Sequence, residues 1–256
     1  MPSPANLHAN KVPQITLAFW VMKICATTLG ETAGDLLSMT LNVGYGVSTL
    51  ILLGLFVVTL VCQLAAKSYH PFLYWTVILS TSTAGTTMSD YMDRTLGVGY
   101  AAGSLILVTI LVSILALWRL TVGTLSVNDI RTFKVESFYW TAILFSNTLG
   151  TALGDFLADS SGLGFAGGAL LIAGLIALIA LANLYTEMSK TLLFWMAFVL
   201  TRPLGATMGD VLTKTPAQGG VGFGTIGSSL VLASILVCLI VFDARNRRGQ
   251  RPQPSS

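Results

Sequence analysis

Five carboxylates, Glu31, Asp35, Asp90, Asp155 and Asp210, lie inside stretches otherwise apolar enough for lipid. Lys23 and Arg202 share those stretches, which leaves a surplus of three negative charges. Acids crowded into an apolar site either keep protons or hold a cation between them. Thr27, Thr28, Ser82, Thr83, Ser146, Asn147, Thr148 and Thr201 add hydroxyls and an amide on the same turns. Oxygen-only ligands favour hard cations, manganese, magnesium, sodium or protons, over copper or zinc. Cys25, Cys62 and Cys238 stand singly in apolar runs and read as packed thiols, and His8 and His70 are too few for a histidine site. No GxxxxGK[ST], GxSxG, HExxH or HxE…CxxC pattern occurs, so the chemistry points to binding and movement of an ion and away from an enzyme.

The four aspartates are evenly prepared. The sequences "FWVMKICATTLGETAGD", "YWTVILSTSTAGTTMSD", "YWTAILFSNTLGTALGD" and "FWMAFVLTRPLGATMGD" begin at Phe19, Tyr74, Tyr139 and Phe194. Each holds Trp (20, 75, 140, 195), Gly ten residues later (30, 85, 150, 205) and Asp five beyond that (35, 90, 155, 210). A glycine-aromatic pair closes each copy: Gly44-Tyr45, Gly99-Tyr100, Gly164-Phe165 and, after a short insertion around Pro216, Gly222-Phe223. Copies one and three, and copies two and four, are each 120 residues apart, as expected of a two-helix unit duplicated twice.

The composition fits such a repeat only in a membrane. Of 256 residues 54% are hydrophobic and 10% charged, where soluble domains carry about 25% charged residues. Apolar runs over 14–38, 46–66, 72–89, 98–118, 138–158, 165–184, 191–209 and 224–242 predict eight spans. The expected fold is an all-α polytopic membrane protein of four parallel two-helix repeats, with a pseudo-twofold, approximately fourfold, axis along the membrane normal. Residues 1–126 form the first half, 127–242 the second, and 243–256 a basic, disordered tail. The first ten residues lack a secretory-signal pattern. Lys11, Lys67, Arg119, Arg131, Lys134, Lys190, Arg245, Arg247, Arg248 and Arg251 fall on one side of this topology, and only Arg94 and Lys214 on the other. Both termini are therefore expected in the cytoplasm, and the net charge of +3 implies no nucleic-acid partner.

The fourfold Trp–Gly–Asp register resembles a family of bacterial inner-membrane proteins built from four tandem copies of a two-helix repeat of unknown function, each copy with a characteristic tryptophan. The resemblance covers about residues 15–242 and implies an eight-helix protein of the bacterial inner membrane. It implies no activity, so function is read from the charges.

With each Trp at the cytoplasmic interface, as an interfacial belt, Gly lies roughly 15 Å deeper and Asp roughly 22 Å deeper. The aspartates then form one layer in the outer half of the bilayer. Glu31, one turn from Asp35, shares its face. Two residues break the repeat: Glu31 stands where the other copies have Thr86, Thr151 and Ala206, and Arg202 where they have Thr27, Ser82 and Asn147. A scaffold has no use for such differences, and an asymmetric binding site does. Glu31, Asp35, Asp90, Asp155, Asp210, Thr28 and Asn147 are the expected cation- or substrate-binding residues. Glu31, Asp35 and Asp155 are the expected metal ligands, and Lys23 and Arg202, loosened by Pro203, the compensating charges. The expected function is secondary transport of a cation, a hard divalent metal such as manganese first, with no cofactor beyond that bound ion. The alternatives are a proton-coupled carrier of a small organic solute and an accessory membrane protein whose aspartates only bond helices. The partners are the lipid bilayer and the transported species, and a homo-oligomer is left open.

Overall fold

The structure, a computed structural model, describes residues 11–127 and 130–249. Among them run eight long helices and no strand: α1 (Leu17–Asp35), α2 (Tyr45–Ala65), α3 (Pro71–Asp90), α4 (Tyr100–Val122), α5 (Phe133–Asp155), α6 (Gly164–Tyr185), α7 (Lys190–Thr213) and α8 (Gly224–Gly249). Thr16, Thr132 and Ser189 cap α1, α5 and α7 by accepting the otherwise orphaned N–H of Phe19, Val135 and Leu192. Pro71 opens α3, where no N–H is needed. In the first three copies Asp is the last α-helical residue, and a five-residue π-helical turn follows: Leu36–Thr40, Tyr91–Thr95 and Phe156–Ser160. In the fourth copy α7 runs on to Thr213 and the insertion folds as a 3-10 turn, Pro216–Gln218.

The first helices α1, α3, α5 and α7 form a closed ring, each packed on the two beside it. Each second helix lies outside, against the first helix of the next repeat: α2 on α3, α4 on α5, α6 on α7, and α8 back on α1. That last pairing makes the four repeats equivalent by rotation about the ring axis. The first helices all run the same way, with their aromatic starts in contact at one end and their aspartates at the other.

Ring and shell divide the sequence by polarity. The shell helices expose Leu50 (73%), Leu105 (69%), Leu170 (75%) and Leu230 (66%), which suits hydrocarbon and not water. By length and composition α2, α4, α6, α7 and α8 are membrane-crossing helices, five of the eight predicted spans. The ring helices α1, α3 and α5 are as long but too polar to qualify alone, because their threonines, serines and charges are buried against one another. The chain is a membrane protein with its polar residues on the inside.

Two kinds of glycine hold this shape. Gly44, Gly99, Gly164 and Gly222, from the closing signature, have φ of 81°, 78°, 67° and 83°, which a side chain would strain. The glycines after each Trp serve packing. A Cβ on Gly30, Gly85, Gly150 or Gly205 would collide with Ser82, Asn147, Arg202 or Thr27 of the next ring helix. Four residues on, Gly34, Gly154 and Gly209 lie against Thr86, Ala206 and Glu31. This small-xxx-small register brings membrane helices into close contact.

One expectation fails at the C-terminus. Residues 243–249, read as the start of a disordered tail, continue α8, since no Gly or Pro interrupts the chain between Gly227 and Gly249. Residues 250–256 lie outside the described residues.

Candidate functional site

From the aromatic before each Trp, residues at four-residue steps turn into the ring, and all but the half-buried Phe194 are buried. The layers run Phe19, Tyr74, Tyr139, Phe194; then Lys23, Ile78, Ile143, Phe198; then Thr27, Ser82, Asn147, Arg202; then Glu31, Thr86, Thr151, Ala206; then the aspartates.

The first layer corrects the reading of the tryptophans as an interfacial belt. Trp75 and Trp140 are 1% exposed and Trp195 4%. Each Trp packs against the preceding copy's Phe or Tyr, with centroid distances of 5.7 Å (Phe19–Trp75), 5.6 Å (Tyr74–Trp140), 6.4 Å (Tyr139–Trp195) and 5.8 Å (Phe194–Trp20). Eight aromatic rings thus close a girdle around the axis, and the hydroxyls of Tyr74 and Tyr139 bond at 2.7 Å inside it. The rings face inward because the stripe that reaches the acids also passes through the residue before each Trp.

Arg202 fills the middle of the ring. It is fully buried, and Gly150 gives it room, with Pro203 Cδ packed over the same glycine. Pro203 does not break α7, which is continuous through it. Arg202 Nη1 donates to the Thr27 carbonyl at 3.1 Å, and Nη2 faces Glu31 Oε2 at 2.9 Å, Thr86 Oγ1 at 2.5 Å and Thr151 Oγ1 at 2.7 Å. The threonine hydroxyls in turn donate to Glu31 Oε2 at 3.2 and 3.5 Å. One residue from each repeat therefore meets on the axis, where Arg202 is ion-paired with Glu31.

Lys23 does not behave as a counter-ion. Among the described residues it makes no ion pair, and its Nζ donates to Asn147 Oδ1 at 3.5 Å and lies 4.2 Å from the Phe198 ring centroid. Three residues after Trp, it sits two helical turns short of Glu31, too far toward the aromatic end to reach an acid. Asn147 belongs with it, donating to Thr81 Oγ1 at 2.9 Å. Thr28 spends its hydroxyl on the Ile24 carbonyl of its own helix.

The aspartates have counter-ions in Arg94 and Lys214, which in sequence lie just past the apolar runs as outer-loop charges. Arg94 joins Asp90 (2.9 Å) to Asp155 (3.2 Å), and Lys214 joins Asp210 (3.1 Å) to Asp35 (3.1 Å). Each cation lies four residues after its own Asp and reaches the Asp of the next copy, so the signal was an i, i+4 spacing present only in copies two and four. Both clasps span joints between the two halves of the chain.

Ring order also decides which acids meet. Carboxylate oxygens of Glu31, Asp35 and Asp210 all lie within 4.8 Å of one another and could together hold a cation. Asp155, expected in that group, stays with Asp90 on Arg94. Copy three sits across the ring from copy one, whereas copy four is its neighbour, and α7 packs so close there that a Cβ on Gly209 would lie 2.8 Å from Glu31 Cβ. Asp35 and Asp210 face an open cavity of about 330 Å³, shared with Arg94, Asp159 and Lys214.

A second buried charge went unnoticed in the sequence. Glu136, 1% exposed, accepts from Lys11 Nζ at 2.8 Å and from Gln63 Nε2 at 3.4 Å at the aromatic end. Nothing in the repeat register marked it.

The family described as Repeat of Unknown Function (DUF347) matches residues 18–69, 73–124, 138–189 and 193–248, one match per two-helix unit. No curated protein and no solved structure matches the chain. Four matched repeats, covering most of the sequence, place the chain in the DUF347 repeat family.

Proposed function

We propose that the chain is a secondary transporter of a hard cation, manganese foremost, in the bacterial inner membrane, with both termini in the cytoplasm. The observation that carries this reading is the convergence of Glu31, Asp35 and Asp210 within 4.8 Å beneath an open cavity. Buried carboxylates are costly in a membrane unless they meet a cation or a partner, and three oxygens with neighbouring hydroxyls suit a hard ion. On this topology the cavity opens to the periplasm, while the aromatic girdle and the Arg202 knot close the cytoplasmic side. The chain carries no nucleotide-binding motif, so an ion gradient supplies the driving force.

The accessory reading, in which the acids only fasten helices, draws on the two clasps. Manganese flux into proteoliposomes separates the two. Asp35→Asn should abolish flux and leave the protein folded, because Lys214 keeps Asp210. Wild-type liposomes without flux for manganese, magnesium or sodium would favour the accessory reading.

A further inference from the structure

The centre of the proposed cation site is already occupied by a charge of the protein's own. Lys214 Nζ lies 3.1 Å from Asp35 Oδ2 and 3.1 Å from Asp210 Oδ1, two of the three converging carboxylates. The third, Glu31, is held from the opposite side by Arg202. The two cations differ in freedom. Arg202 is wholly enclosed, with acceptors from three other repeats. Lys214 follows the last residue of α7, has an extended backbone, is 17% exposed at its side chain and lines the cavity. Its ammonium can swing from the acids toward the cavity mouth on its own flexible stem, with no helix having to move.

Charge balance decides between addition and exchange. Glu31, Asp35 and Asp210 against Arg202 and Lys214 leave a net charge of one negative. A divalent cation added with Lys214 in place would make the group net positive inside the membrane. With Lys214 swung out, the same ion leaves it neutral. Uncompensated charge at such depth is strongly disfavoured, so exchange wins over addition. We infer that Lys214 is a tethered competitor for the site: a divalent cation enters by displacing its ammonium, and the ammonium's return to Asp35 and Asp210 releases the ion. The inference rests on the cation-carrier reading and deepens it, since it fixes the substrate class as one divalent ion per chain and explains how a three-carboxylate site lets its cargo go.

The test is manganese binding to purified full-length protein in detergent, read by the loss of free-ion electron paramagnetic resonance signal. Lys214→Gln should bind manganese about tenfold more tightly or better, since a positive charge within ion-pair distance is removed. Lys214→Arg should not tighten binding, and Lys190→Gln, at the opposite end of α7, should leave it unchanged. In the unaltered protein, saturating manganese should raise the acetylation of Lys214 by acetic anhydride, measured by mass spectrometry. Unchanged or weaker binding by Lys214→Gln, equal tightening by Lys190→Gln, or protection of Lys214 by manganese would each overturn the inference while leaving the carrier reading intact. Absence of binding by the wild type and every variant at millimolar manganese would instead sink the carrier reading, and this inference with it.

Discussion

Arg202 enters the ring across Gly150, where any side chain on α5 would overlap its stem. The glycine and the arginine thus form one unit, and the knot on the axis depends on a hydrogen atom in the neighbouring helix. Gly150→Ala should therefore destabilise the protein by about 1–3 kcal/mol, the range for overpacking a tight interior. Thermal unfolding in detergent checks this against Gly54→Ala, where a Cβ meets nothing within 4 Å and stability should hold.

Glu31 and Arg202 should be worth more as a pair than either alone. Glu31→Gln leaves a fully buried guanidinium without its carboxylate, and Arg202→Gln leaves the carboxylate without its cation, each a loss of about 3–5 kcal/mol. The double variant removes both charges and should recover much of that loss. A double-mutant cycle of melting temperatures measures the coupling, and simple additivity would mean that the 2.9 Å contact contributes little.

At the aromatic end, Lys11→Met should destabilise through the stranded Glu136 carboxylate, and Lys11→Met with Glu136→Gln should restore much of the loss. Lys67→Met removes a charge that has no acid partner among the described residues and should have little effect. The same melting assay reads all three.

The inward girdle predicts an optical result. In bilayers of brominated lipids, fluorescence from the native tryptophans should be quenched modestly, since three of the four girdle tryptophans are at most 4% exposed. A tryptophan introduced by Leu170→Trp, at a position 75% exposed on the shell, should be quenched strongly. Strong quenching of Trp75 and Trp140 would contradict the girdle.

A C-terminal reporter should be active only in the cytoplasm. A periplasmic C-terminus would invert the bundle and turn the acidic cavity toward the cell interior.

What the sequence revealed and what it hid divide along a physical line. The Trp–Gly–Asp register displayed the repeats, the polar interior and the acidic layer, because each feature was written four times at fixed spacing. Ring order was not written anywhere, since spacing along a chain does not say which copies touch. Repeat spacing alone therefore pairs Asp155 with Glu31, whereas Asp210, from the repeat that closes the circle, is the neighbour. Arg94 and Lys214 carried a legible i, i+4 signal but sit just past the apolar runs, where a charge reads as a loop residue. Lys23 carries a charge but at the wrong depth: two turns separate it from any acid, and charge alone does not show depth. Glu136 occurs once, outside the register, and repetition could not flag it.

The closure of α1, α3, α5 and α7 on one another has a consequence for assembly. The inner helices close on one another, so a second copy meets the shell of α2, α4, α6 and α8 and the few outward side chains of the ring, such as Val21 and Met196, and never the ring interior. Each protomer of a dimer or higher assembly would keep its own complete ring, with no interior shared between subunits. On the proposed carrier function, mixing active and inactive chains should then reduce flux in proportion to their ratio, without one poisoning the other.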